Sequence, residues 1–350
     1  MATDYVLFIH GVTIRNRNYA DKLFERLEQS AGDRKFQKIA LYWGDVNTPA
    51  ENHLLGELHS SSDWNQMWFR DFREQTILPF TGDAALYISR HVGAKVVHQL
   101  KMQAVDGGLD KAKDEDRLHL VTHSWGTVIL FDILFASRWE DKNVPGHDDV
   151  MAIRDVIFGV DGEKCDRDHG VKIASIHTMG SPVAIFSLTD VKSDQDETSS
   201  RSSHDITPNG QTFMGHNETS LRSSHDITPK LQTLLKSLQE ARPREKLPWW
   251  NYIHPGDPIA YPLQKLMEGL VDGYTEDLEV KDVLTQSTGW LENLAGLPLF
   301  AQTPLPLLLS LLPDNPHGSY WRNDDVIKKI IQIVKHEAPK STSVSRSMPV

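Results

Sequence analysis

Residues 5–9 (Tyr-Val-Leu-Phe-Ile) form an unbroken apolar run that stops at His10-Gly11. A run this short without polar alternation predicts a strand buried on both faces. Helical spacing follows over 19–29, where Leu23, Phe24 and Leu27 share a face, and 38–43 predicts a second strand. Strand, helix and strand at this spacing predict a βαβ unit and a mainly parallel sheet. From 51 to about 102 the pattern is helical and aromatic-rich, including Trp64, Trp68, Phe69, Phe72 and Tyr87. The charged, glycine-containing stretch 106–117 predicts a surface connection. After it come a strand over 118–122, a buried helix over 127–136 and a strand over 171–179 that ends at Gly180-Ser181-Pro182. A strand over 247–254 and a last helix over 324–336 complete the pattern. The fold class is α/β, a mostly parallel central sheet flanked by helices.

Two stretches break this rhythm. Residues 190–229 are rich in Ser, Thr, Asp, Asn and His, with few side chains fit for a core. They contain a duplication: Arg201-Ser-Ser-His-Asp-Ile-Thr-Pro208 recurs as Arg222-Ser-Ser-His-Asp-Ile-Thr-Pro229. Two copies are too few for a solenoid, so the segment reads as a surface insertion. Its His204 and His225 lack metal-ligand spacing and read as solvated loop residues. Residues 339–350 are polar and read as a disordered tail.

Composition narrows the function classes. The 350 residues carry a formal net charge of −11, with a sequence pI near 5.8. That balance speaks against a nucleic-acid partner, which needs a basic surface to displace counterions from phosphates. The single cysteine, Cys165, excludes an internal disulfide framework and a cysteine-based zinc cluster. A reducing, cytoplasmic setting is the simpler expectation. The N-terminal run is too short and too acidic for a signal peptide. No stretch approaches the roughly 18 apolar residues of a spanning helix, so a soluble protein is expected.

The chemistry lies in Leu118-His-Leu-Val-Thr-His-Ser-Trp-Gly-Thr-Val-Ile-Leu-Phe131. A buried strand runs through Thr122-His123-Ser124-Trp125-Gly126 directly into a helix. A sharp turn there would lift the Ser124 hydroxyl out of the sheet, above the positive end of the helix dipole. Small residues are needed two positions to either side of the serine, where backbones pass closely. Gly126 meets that need, whereas Thr122 stands where glycine is usual. The bland alternative is that Ser124 merely caps the helix.

With strand, elbow and helix together, the chain resembles the α/β-hydrolase superfamily, in its serine esterase and lipase branch. The resemblance implies a triad in the order Ser, Asp or Glu, His. Asp257, in the Pro-Gly-Asp-Pro turn after the 247–254 strand, falls where the acid is expected. His317, in Asn315-Pro-His-Gly-Ser-Tyr-Trp321 before the last helix, falls where the base is expected. His254 and His336 are the substitute bases. The His10-Gly11 turn resembles the family's oxyanion turn, which implies donors at the backbone N–H groups of Val12 and Trp125. His10, Gly11 and His123 are expected in the site wall, Ser181 is expected to be structural, and Cys165 lacks the context of a nucleophile.

The resemblance spans one domain over 1–338, with 190–229 as an insertion and a helical cap or lid over 264–314. It implies acyl-enzyme cleavage of a carboxylic ester, without metal or cofactor. Thioester, amide and acyl-transfer chemistry on the same triad remain open, as does a non-catalytic interaction protein using the repeated unit for docking. The substrate expected is a small-molecule or lipid ester. The apolar stretch 297–312 either lines an acyl-chain pocket or touches a lipid surface, or it packs on the core beside the last helix. The sequence leaves the oligomeric state open.

Overall fold

The computed structural model describes residues 2–30, 32–113, 115–157, 171–186, 246–270, 278–285 and 316–336. The duplicated segment with His204 and His225, Cys165, the apolar stretch 297–312 and the tail from 339 lie outside the described residues.

Among the described residues six strands form one sheet: β1 (Thr3–Ile9), β2 (Lys35–Leu41), β3 (Arg117–His123), β4 (Lys172–Met179), β5 (Leu247–Ile253) and β6 (Leu278–Leu284). Their order is β2-β1-β3-β4-β5-β6, and every neighbouring pair is parallel. Side-chain alternation sends Tyr5, Leu7 and Ile9 of β1 to one face, and Val6 and Phe8 to the other. The first face packs on α5 (Arg90–Asp106) and α6 (Trp125–Phe135) through Val96, Val97, Leu100, Ile129 and Ile133. The second packs on α1 (Asp21–Gln29) and the last helix through Leu23, Phe24, Leu27, Val326, Ile327 and Ile330. Burial on both faces explains why the central strands read as continuous apolar runs.

The chain leaves β1 for β2 on one side, then crosses back past β1 to β3. The order of connection therefore reverses between β1 and β3, and open α/β sheets form a crevice at the carboxyl ends of such strands. Register places Ile9 opposite Thr122, His123 opposite Met179, and Met179 opposite Tyr252. The residues that follow these strands, His10, Ser124, Gly180 and His254, thus lie along one edge of the sheet.

The connection from β2 to β3 is helical, as the pattern predicts, but in pieces. It comprises α2 (Thr48–Ser60), the single turn α3 (Arg70–Phe72), a π-helical turn (Arg73–Ile77), α4 (Leu78–Ile88) and α5. Trp68 and Phe69, just before α3, are 80% and 74% exposed. The short helices α7 (His147–Ala152) and α8 (Val183–Phe186) follow, and among the described residues α9 (Gln264–Leu270) and α10 (Asp324–His336) complete the set.

One expectation requires correction. The cap was expected from 264 onward, yet α9 and β6 occupy the first part of that range, and β6 pairs with β5 along all seven of its residues. Leu278-Glu-Val-Lys-Asp-Val-Leu284 buries Leu278 and Val280 between exposed or half-buried polar positions, as an edge strand does. Residues 278–284 therefore extend the sheet. No helix among the described residues is long and apolar enough to cross a membrane.

Candidate active site

Ser124 joins the last residue of β3 to the first of α6, with φ 53° and ψ −128°. Such a backbone costs a non-glycine residue on the order of 1–3 kcal/mol and persists only where its surroundings enforce it. Here the Ser124 N–H donates to the Met179 carbonyl at 2.9 Å, and the Ser124 carbonyl accepts from Thr127 N–H at 3.0 Å. The neighbouring backbones must come very close. A Cβ on Gly126 would lie 2.5 Å from the Ile9 carbonyl oxygen, and one on Gly11 would lie 2.9 Å from Ser124 Oγ. The first turn of α6 thus rests on the end of β1, and the loop after β1 rests on the serine.

Thr122 is accommodated, although glycine is usual there. Its Oγ1 lies 2.8 Å from Thr127 Oγ1, both residues being fully buried, and this hydroxyl pair straps the strand to the helix.

Ser124 Oγ lies 2.7 Å from His317 Nε2, and His317 Nδ1 lies 2.9 Å from Asp257 Oδ2. His317 lies in the tight turn before α10, closed by Ser319 Oγ donating to the Pro316 carbonyl. Asp257 lies in the turn after β5, where its N–H donates to the His254 carbonyl. Its Oδ1 accepts from Ile259 N–H at 3.0 Å, and its Oδ2 also accepts from the Tyr320 hydroxyl at 2.8 Å. Burial alone would raise the Asp257 pKa. The His317 charge and hydrogen bond, with the Ile259 and Tyr320 donors, outweigh burial and hold the carboxyl below its ordinary value.

Tyr320 is a site residue that the sequence reading missed. Its hydroxyl accepts from His254 N–H at 2.8 Å while donating to Asp257, so it fixes the carboxylate from below. Its position three residues after His317 was the only available signal.

The expected wall residues separate. Gly11 touches Ser124. His123 donates from Nε2 to the His317 carbonyl at 2.6 Å, and its ring centroid lies 4.8 Å from that of His317. Burial first, and then the neighbouring His317, push the His123 pKa down to about 3, so it is a neutral support for the histidine turn. His10 belongs to the packing behind the site. Its ring stacks on Trp43 at 5.3 Å, its Nε2 accepts from Trp43 N–H at 3.1 Å, and its Nδ1 donates to the Gly11 carbonyl at 2.6 Å. Both ring nitrogens are committed there, and burial lowers the His10 pKa to about 4.

Val12 is buried and follows the glycine that lies on Ser124, while Trp125 opens α6. Trp125 thus follows the serine in the chain, and Val12 follows the glycine packed against it. Ser181 is buried in the turn after β4, where its Oγ accepts from Val183 N–H at 3.2 Å. The substitute bases stand elsewhere: His254 Nδ1 accepts from Gly256 N–H at 3.0 Å, and His336 is the last residue of α10. Among the described residues no group of three or more His, Cys, Asp or Glu side chains is arranged to hold a metal ion.

Comparison with models of known protein families finds no match. Comparison with curated proteins finds none either.

Proposed function

We propose that this chain is a serine hydrolase of the α/β-hydrolase superfamily that cleaves a carboxylic ester through an acyl-enzyme intermediate. The observation that carries the reading is the unbroken chain of hydrogen bonds from Ser124 Oγ through His317 to Asp257. The strained serine at the crevice between β1 and β3 supports it independently.

The steps follow from the geometry. Serine is a weak nucleophile until a base removes its proton during attack. Neutral His317, with its proton on Nδ1 and held by Asp257, offers the Nε2 lone pair to the hydroxyl. As Oγ bonds to the carbonyl carbon, Nε2 takes the proton and Asp257 stabilises the resulting imidazolium. The backbone N–H groups of Val12 and Trp125 receive the oxyanion. Losing one such donor typically raises the barrier by about 2.7–4 kcal/mol. Collapse expels the alcohol, which takes the proton back from Nε2, and water then releases the acid by the same sequence.

Labelling with a fluorophosphonate probe tests this assignment. Wild type is expected to form a stable adduct and Ser124→Ala none. A wild-type protein that resists the probe, or a variant that still labels, removes the proposal. The same experiment decides against the rival reading as a non-catalytic interaction protein.

A lipid or long-acyl ester is the substrate class favoured within this reading. The supporting observation is the pair of exposed aromatics at Trp68 and Phe69, which suit contact with a membrane surface. The palmitate ester of p-nitrophenol in mixed micelles is expected to react with higher kcat/KM than the butyrate ester. A clear preference for butyrate eliminates the lipid reading, and faster thioester turnover reassigns the leaving group.

A further inference from the structure

The loop between β1 and α1 is held by a helix far away in the sequence. Thr13 adopts φ 65°, in the left-handed region that a β-branched residue rarely enters. Its N–H donates to Asp83 Oδ2 at 2.7 Å. Asp83 lies on α4 and is 1% exposed. Besides the Thr13 bond, it accepts from Arg15 through Oδ2 at 2.9 Å and through Oδ1 at 3.1 Å, and from Asn47 Nδ2 at 2.9 Å. Arg15 continues to both carboxylate oxygens of Glu51 on α2, at 2.8 and 2.9 Å. A buried carboxylate filled with charge-assisted bonds is a rigid anchor, because losing any donor leaves it unsatisfied.

The anchored segment is the one that matters for the oxyanion. Gly11 lies against Ser124, Val12 follows it, and Thr13 is the next residue. Without Asp83, the 12–13 peptide could rotate to relieve the strain at Thr13, and the turn carrying Val12 would loosen. We propose that Asp83, braced by Arg15 and Glu51, is a positioning residue that holds the Val12 N–H toward the oxyanion. This rests on the hydrolase reading above. It makes transition-state stabilisation at the sheet edge depend on the helices inserted between β2 and β3.

The test compares wild type with Asp83→Asn and Glu51→Gln on p-nitrophenyl butyrate and with a trifluoromethyl ketone. Ser124 adds reversibly to the ketone carbonyl and passes its proton to His317, leaving an oxyanion in the same hole. Asp83→Asn is expected to lower kcat by about 10²-fold or more with KM little changed, and to weaken ketone inhibition by a similar factor. Glu51→Gln, which spares the Thr13 bond, is expected to lose about tenfold in both quantities. A folded Asp83→Asn with unchanged kcat and ketone affinity overturns the proposal, as does a loss expressed in KM alone. Should Asp83→Asn fail to fold, an unaltered Glu51→Gln overturns it equally. A wild type that neither turns over ester nor binds the ketone defeats the hydrolase reading itself; a reactive wild type beside an unaffected Asp83→Asn defeats only this inference.

Discussion

On the proposed hydrolase reading, Ser124→Ala, His317→Ala and the double variant are each expected to turn over ester about 10⁶-fold more slowly than wild type, with the double no slower than either single. The near-identity of the three losses follows from the geometry. Ser124 Oγ and His317 Nε2, 2.7 Å apart, act on one proton, so removing either partner removes the whole step. What survives is the contribution of the oxyanion donors and of substrate binding, which need neither side chain. KM is expected to change little, because the triad acts on the transition state. Asp257→Asn is expected to lose less, about 10⁴-fold, for a different reason. An amide nitrogen turned toward His317 Nδ1 favours the tautomer with the proton on Nε2, which cannot accept from serine. The measurement is kcat and KM of the four variants under identical conditions. Additive losses in the double variant, or substantial activity left in His317→Ala, would show that the three side chains do not work as one unit.

The parts of this site that were legible from sequence are local. The elbow at Ser124 is a strand, a turn and a buried helix within fourteen consecutive residues, 118–131. Asp257 and His317 were expected only through the resemblance, which implies an acid and then a base, the one after a predicted strand and the other before a predicted helix. Tyr320 and Asp83 were not, because their roles arise from packing. Tyr320 reaches back to the turn after β5, and Asp83 meets Thr13 across 70 positions of chain. Neither residue sits in a pattern that distinguishes it from an ordinary core tyrosine or a surface carboxylate. His10 shows the converse failure. Its place beside Gly11 suggested the site wall, while its ring had better partners in Trp43, Tyr42 and Tyr19 behind the strand ends. The edge strand β6 escaped because one side of it is polar and solvated. Its seven residues lack the continuous apolar signature that betrayed the central strands.

The buried histidines that support this architecture also set its acid limit. His10, His123 and His177 are held neutral by burial, with pKa values lowered to about 4, 3 and 3. His119, fully buried beside Ser175, is shifted in the same direction, and burial is again the largest cause. In the unfolded chain each of these groups binds a proton below about pH 6.5, whereas in the folded protein each remains neutral until far lower pH. Unfolding therefore takes up protons in this window, and stability falls with pH. Full stability is present above about pH 6.5 and is lost as the pH drops toward the folded values. Each histidine contributes up to about 1.4 kcal/mol per pH unit. Between pH 6.5 and 4.5 the first three together remove on the order of 6–7 kcal/mol, comparable to the roughly 5–15 kcal/mol that holds a typical domain folded. Asp4 and Asp257, whose pKa values are lowered by their partners against the opposing effect of burial, extend the loss to still lower pH. Urea unfolding at pH 7.0, 5.5 and 4.5 is expected to show a steep decline, with unfolding in buffer alone near the lowest value. His177→Gln, which leaves no proton to bind at that position, is expected to reduce the slope by about one proton. A midpoint that stays level from pH 7.0 to 4.5 would mean that these imidazoles are not neutral in the folded protein, and that the chain of contacts from His10 and His123 to the serine is looser than the distances require.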